Sequence, residues 1–178
     1  MTDDEKIQLI VDNFRLNMDK QSIASIRNHI RWGEIELTDK GFECAMLDVE
    51  YVGTHQRLPL AVEYCYRFMA DNGSLTTLQG CPHVVQREYR VSGDLSNLEF
   101  LPQKAHSVEL TWMQNLGLLR LLNVECDQVK FWASSGTDVT NSGRATEIIN
   151  KYLRKGWAAM VPCARELIRA GLKGNATL

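Results

Sequence analysis

Between Leu75 and Ala133 the chain repeats itself, and that periodicity limits the folds open to it more than any other feature. Leu75-Thr-Thr-Leu78-Gln-Gly-Cys-Pro82 returns twenty residues on as Leu95-Ser-Asn-Leu98-Glu-Phe-Leu-Pro102, and twenty-one later as Leu116-Gly-Leu-Leu119-Arg-Leu-Leu-Asn123. A strand-like run follows each copy: Val85 to Val91, Val108 to Met113 and Val129 to Ala133. A fainter copy, Leu58-Pro59 followed by Leu60 to Met69, lies upstream. A unit of one apolar turn and one strand cannot bury its own hydrophobic edge and must stack on copies of itself. The expected fold is α+β: a short leucine-rich-like β-solenoid of about three to four coils over residues 55–133, each of about twenty residues. The gaps between strands suffice for parallel crossovers. The competing arrangement is an antiparallel sheet packed on N- and C-terminal helices, which the hairpin signal Asp71-Asn72-Gly73 would favour.

The phrase Leu75 to Pro82, followed by Val85, Tyr89, Val91-Ser92 and Asp94-Leu95, resembles the short repeats of bacteriophage and giant-virus leucine-rich-like repeat proteins. The resemblance spans roughly Leu58 to Ala133; it is good in the first full copy, fair in the second and poor in the third. It implies a repeat scaffold from a phage or mobile element and brings no catalytic residue with it.

The flanks read as caps on a single domain, 1–178. Thr2-Asp-Asp-Glu5 is a capping box that starts a helix over about residues 3–20, with Ile7, Ile10, Val11, Phe14 and Met18 on one stripe. A second helix from Ser22 to about Ile30 would bury Ile23, Ile26 and Ile30, with an extended connector as the alternative for the same residues. Glu34 to Leu37, the turn Thr38-Asp-Lys-Gly41 and Phe42 onward form a hairpin, with Gly41 in a left-handed position. Its pairing puts Ile35, Leu37, Phe42, Cys44 and Met46 on the core face, with Glu34, Glu36 and Glu43 opposite. The apolar phase then shifts to Leu47, Val49 and Tyr51, which predicts a bulge near Met46-Leu47 or a strand buried on both sides. Together, residues 1–54 make the polar-faced cap. Downstream, Ser134 to Gly143 is rich in turn formers and reads as a loop. From Arg144 a helical stripe runs through Ile148, Ile149, Tyr152, Leu153, Trp157, Met160 and Leu167 as the second cap, 144–174, kinked by Pro162 with Gly156 as the weak point.

Alternation within the strands assigns faces. Val62, Tyr64, Tyr66 and Phe68 should oppose Glu63, Cys65 and Arg67; Tyr89 and Val91 oppose Glu88 and Arg90; Val108, Leu110 and Trp112 oppose Glu109 and Thr111; Val129 and Phe131 oppose Lys130 and Trp132. Stacking would align Arg67, Arg90, Thr111 and Trp132 in one outward row, and Glu63 or Cys65, Glu88, Glu109 and Lys130 in the next. Aromatic and arginine side chains of this kind dominate interface energies, which makes these rows the candidate partner-binding surface.

Charge is unevenly spread. The formal net charge is −2, yet residues 144–178 hold seven Lys and Arg against Glu147 and Glu166, a side-chain sum of +5 that leaves −7 elsewhere. Arg144, Lys151, Arg154, Lys155, Arg165 and Arg169 are thus the candidates for a nucleic-acid contact, weighed against a plain solvated helix face. Five cysteines (Cys44, Cys65, Cys81, Cys126, Cys163), odd in number and without a C-x-x-C pair, imply reduced thiols in a cytoplasmic protein. No apolar run approaches a membrane span. His29, His55, His83 and His106 lack metal-ligand spacing, and no phosphate-loop template fits, so neither metal nor cofactor is expected. Asp48 and Glu50, with Glu63, could hold a divalent cation or act as an acid/base pair on one strand face, although a hydrated strand face explains them more simply. The sequence reading is a non-enzymatic protein-binding module, with nucleic-acid binding through the C-terminal helix as the alternative.

Overall fold

The computed structural model describes residues 1–133 and 136–178, with the side chains of residues 72–74 and 136–137 left undescribed. The chain forms a β-solenoid of about four turns flanked by N- and C-terminal helices. Its elements run α1 (Asp3–Asn13), β1 (Phe14–Leu16), α2 (Ile23–Arg31), β2 (Glu36–Leu37), β3 (Gly41–Tyr51), β4 (Ala61–Leu75), β5 (Val84–Val85), β6 (Glu88–Gly93), β7 (Ser107–Thr111), β8 (Gln128–Trp132), α3 (Gly136–Leu153) and α4 (Met160–Arg169).

The strands from β3 to β8 pair in parallel, which removes the antiparallel alternative. Two ladders stack side by side. A short one joins Gly41–Cys44, Ala61–Cys65, Val84–Val85, Lys104 and Glu125. The longer one places Val49, Phe68, Tyr89, Val108 and Val129 on a single rung. Between them the chain turns a corner, and the β3–β4 register breaks between Cys44 and Asp48, where the sequence predicted a bulge. The third side of each coil is the apolar turn: Leu75, Leu78, Leu95, Leu98, Leu116 and Leu119 are each at most 4% exposed. In the last coil, where Pro is replaced by Asn123, the turn tightens into a 3-10 helix, Leu118–Asn123.

The corner corrects the expected phase of β4. Val62, Cys65 and Phe68 point inward, three residues apart, while Tyr64 and Tyr66 are only partly buried. Period two holds within a straight strand and fails across a bend. The same bend divides the expected strand 85–91 into β5 and β6, and turns Met46, expected inside, out to 72% exposure. The hairpin forms as read, with Glu36 opposite Glu43 and Leu37 opposite Phe42. Gly41, however, is not left-handed: a Cβ there would lie 1.9 Å from the Ala61 carbonyl oxygen, so close backbone approach is what demands glycine. The turn itself is held by Thr38, whose Oγ1 accepts from the amides of Lys40 and Gly41.

Both open edges of the stack are covered, as they must be if the sheet is not to recruit another chain. At the first end the capping box on α1 forms as expected, with Thr2 and Glu5 satisfying each other's amides. The helix stops at Asn13 rather than near residue 20, because Phe14 and Leu16 are needed in β1, paired antiparallel with Tyr51 and Val49 of β3. At the far end α3 lies along β8 and supplies side chains where a further strand would supply backbone. Asn150 accepts from the Val129 amide at 2.7 Å and donates to its carbonyl at 2.8 Å; Thr146 Oγ1 accepts from the Phe131 amide at 3.2 Å. The helix starts at Gly136, so the stretch read as a loop is helical from there, and Ser134 and Ser135 lie outside the described residues. The kink falls at Gly156 (φ 58), while Pro162 sits in the first turn of α4, where a missing amide donor costs nothing. The C-terminal tail closes on the last coil: Asn175 Nδ2 donates to the carbonyls of Met113 and Leu116, both at 3.0 Å.

Candidate functional site

The longer ladder presents its outward side chains as rungs set by register. Arg90, Glu109 and Lys130 share one rung, with Glu50 and Met69 on the strands before them. Thr111 and Trp132 share the next, and Asp48 and Arg67 face each other one step back. The expected rows are corrected accordingly. Arg67 does not align with Arg90, because the coil from Phe68 to Tyr89 takes twenty-one residues whereas the two arginines are twenty-three apart; the next coil, from Tyr89 to Val108, takes nineteen and sets Arg90 beside Glu109, not Thr111. An even difference leaves every side chain on its predicted face but moves it along the strand.

Five of the seven candidate residues therefore meet in one cluster. Trp132 Nε1 donates to Glu109 Oε2 at 2.9 Å, which lays the indole back across β7. Lys130 Nζ sits 3.4 Å from the ring centroid and the Arg90 guanidinium carbon 5.4 Å from it, both within cation–π range. Arg90 is in turn held by Asp71 at 3.2 Å. Small Ser92 and Thr111 leave room beneath, so Asp71, Arg90, Val91, Ser92, Thr111 and Trp132 line a groove of about 230 Å³. The indole is 42% exposed. The remaining two, Arg67 and Glu88, form a separate group: Arg67 reaches Asp48 at 3.4 Å and Glu88 at 3.8 Å. Asp71 and Ser92 were missed by the sequence reading; both follow the last residue counted in their strands.

The acidic pair is dispersed in the same way. Asp48 is paired with Arg67 and Glu50 with Arg15 at 3.3 Å, while Glu63 lies beyond the corner on the short ladder. Among the described residues no three His, Cys, Asp or Glu side chains gather as a metal-holding group. Around that corner lies a groove of about 500 Å³, lined by Tyr64, Gln86, Lys104, His106, Cys126 and Asp127 among others. Its polar side chains pair with one another, Lys104 with Glu125 at 2.7 Å and the His106 ring with Asp127 at 2.9 Å. Burial, and then the Asp127 carboxylate, push the Cys126 thiol up to about 11, the opposite of what a nucleophilic thiolate requires.

Of the C-terminal cations, Lys151 is engaged: it meets Glu166 at 2.7 Å, and the Tyr152 hydroxyl donates to the same carboxylate. Those hydrogen bonds, from Lys151 first, hold Glu166 below its ordinary range and hold Lys151 above its own. The Lys155 ammonium lies 5.3 Å from the Tyr152 ring. Arg144, Arg154, Arg165 and Arg169 are exposed and make no ion pair among the described residues. Among those residues no helix is long and apolar enough to cross a membrane. No family model, curated protein or solved structure matches the chain.

Proposed function

We propose that this chain is a non-enzymatic binding module whose partner is a protein, docked on the outward strand face around Trp132. The observation that supports the reading is the fixing of a half-exposed indole by Glu109, Lys130 and Arg90 at the rim of a groove. A side chain already held in one rotamer loses little entropy on binding, and tryptophan flanked by arginine is the composition from which interface anchors are drawn. Along their shared rung the charges alternate in sign, from Arg90 to Glu109 to Lys130, so a partner meets a patterned surface of low net charge. The phage-type repeat phrase directs the search for the partner to host proteins. The test is capture from the source host with the full chain and with Trp132→Ala, followed by affinity measurement on the purified partner. Loss of the anchor should weaken binding at least about thirtyfold, whereas reversing Arg154 and Lys155 should leave it unchanged. Equal affinity of the Trp132→Ala protein would refute the assignment.

A further inference from the structure

The apolar turns carry one residue out of pattern. In the coil Leu75–Pro82 the left-handed position is Gly80 (φ 87); twenty residues on, the equivalent position is Phe100, held at φ 63. A bulky residue adopts that conformation only against strain, and strain retained at an exposed site points to a use for the side chain. Phe100 is 50% exposed, so burial does not explain it. Facing the same groove, of about 280 Å³, is Trp157, 42% exposed, which follows the left-handed Gly156. Neither ring has an aromatic neighbour among the described residues. The same groove is lined by Arg120, Gln103 and Asn123, and Arg120 meets the exposed Glu99 at 3.6 Å.

From this geometry we infer that the turn side of the solenoid holds a binding site for single-stranded nucleic acid, with a base received against Phe100 and Trp157. Every base offers a π face, and aromatic platforms of this kind bind single strands with little regard to sequence. Gln103 and Asn123 each carry a donor and an acceptor for base edges, and the planar Arg120 can stack or donate. The phosphates find charge next to the same groove, since the exposed Arg154 and Lys155 immediately precede the Gly156-Trp157 pair. A peptide could use the rings but would have to bring its own acidic groups, whereas a nucleic acid brings bases and phosphates together. The site lies on a different side of the coils from Trp132, and the inference does not rest on the protein-partner reading.

The test uses the full chain and fluorescein-labelled oligothymidine and oligouridine of about 15 nucleotides, with a duplex of the same length, in anisotropy titrations from about 50 to 200 mM salt. Single strands should bind in preference to the duplex, and Trp157→Ala should weaken binding at least about fivefold, with Trp157→Phe close to the parent. The decisive variant is Phe100→Gly, which relieves the backbone and should raise the melting temperature while weakening the single strand by a similar factor. Reversing Arg154 and Lys155 should lower affinity and flatten its salt dependence. Trp32→Ala, at an exposed tryptophan that follows α2, should change nothing. The inference falls if no single strand binds at low salt, if the Phe100 and Trp157 variants bind like the parent, or if an acidic peptide binds where the oligonucleotides do not.

Discussion

Replacing Asn150 by alanine tests whether α3 seals the solenoid or merely lies on it. The amide side chain makes both available bonds with Val129, at 2.7 and 2.8 Å, and Val129 is 1% exposed. Asn150→Ala leaves a buried N–H and a buried C=O without partners, at about 1–3 kcal/mol each. Alanine is the better helix former, and recovers roughly 0.5 kcal/mol in the interior of α3. The net loss should be about 2–5 kcal/mol, a large part of a stability of order 5–15 kcal/mol. It would be read from urea unfolding followed by circular dichroism and tryptophan fluorescence, as a lower midpoint with an unchanged slope. Thr146→Val removes one longer bond, to Phe131 at 3.2 Å, and should cost about 1 kcal/mol. Native-state hydrogen exchange at the Val129 amide should quicken in step. A loss below about 0.5 kcal/mol for Asn150→Ala, with exchange unchanged, would mean that water already serves this edge; the account of α3 as a surrogate strand would then be wrong.

Three further outcomes follow from the same physics. Leu78, Leu98 and Leu119 occupy equivalent buried positions, so truncating any one to alanine should cost about 2–5 kcal/mol by denaturant titration, and a tolerated substitution would show that the turns are not core. The Tyr89 hydroxyl is fully buried beside the Cys81 thiol with no hydrogen-bond partner of regular geometry; Tyr89→Phe should therefore stabilise the protein by about 1 kcal/mol, and a comparable loss would reveal a bond there. Glu166, held below its ordinary 4.5 by Lys151 and Tyr152, contributes stability that is present above that value and lost as pH falls through the lowered one. An NMR titration should place its midpoint below 4.5, moving back up in Lys151→Met; a midpoint indifferent to that change would show that the pair is not formed in solution.

What the sequence disclosed and what it hid divide along a physical line. The turns were legible because Leu75, Leu78 and their repeats meet a buried surface at a fixed interval, and nothing polar substitutes for them. The hairpin Glu36–Phe42 was legible because its turn and its alternation agree. Features decided by contacts with distant parts of the chain were not. Phe14 continues the stripe of Ile7 and Ile10, and equally alternates with Leu16; only the exposed edge of β3 chooses strand over helix. Residues 136–143 look like a loop by composition and are nevertheless the first two turns of α3, ahead of the Thr146 and Asn150 contacts with β8.

The site follows the same division, with one instructive difference. Facing direction depends on parity and survived coils of unequal length, so Arg90, Glu109, Lys130 and Trp132 were all placed outward correctly. Which of them meet depends on the coil lengths themselves: a coil of twenty-one residues detached Arg67 from Arg90, twenty-three positions on, and a coil of nineteen brought Arg90 beside Glu109 rather than Thr111. No propensity encodes that length; it is fixed by how many residues the corner and the turn consume. Phe100 is the opposite case. Its anomaly stands in the repeat itself, where Leu78-Gln-Gly80 is answered by Leu98-Glu-Phe100, and the cost of a phenylalanine in a glycine position follows from backbone sterics alone. A repeat chain thus marks its exceptions against its own copies: where one coil spends conformational strain to show an aromatic ring that its neighbour omits, the difference between the coils is the signal.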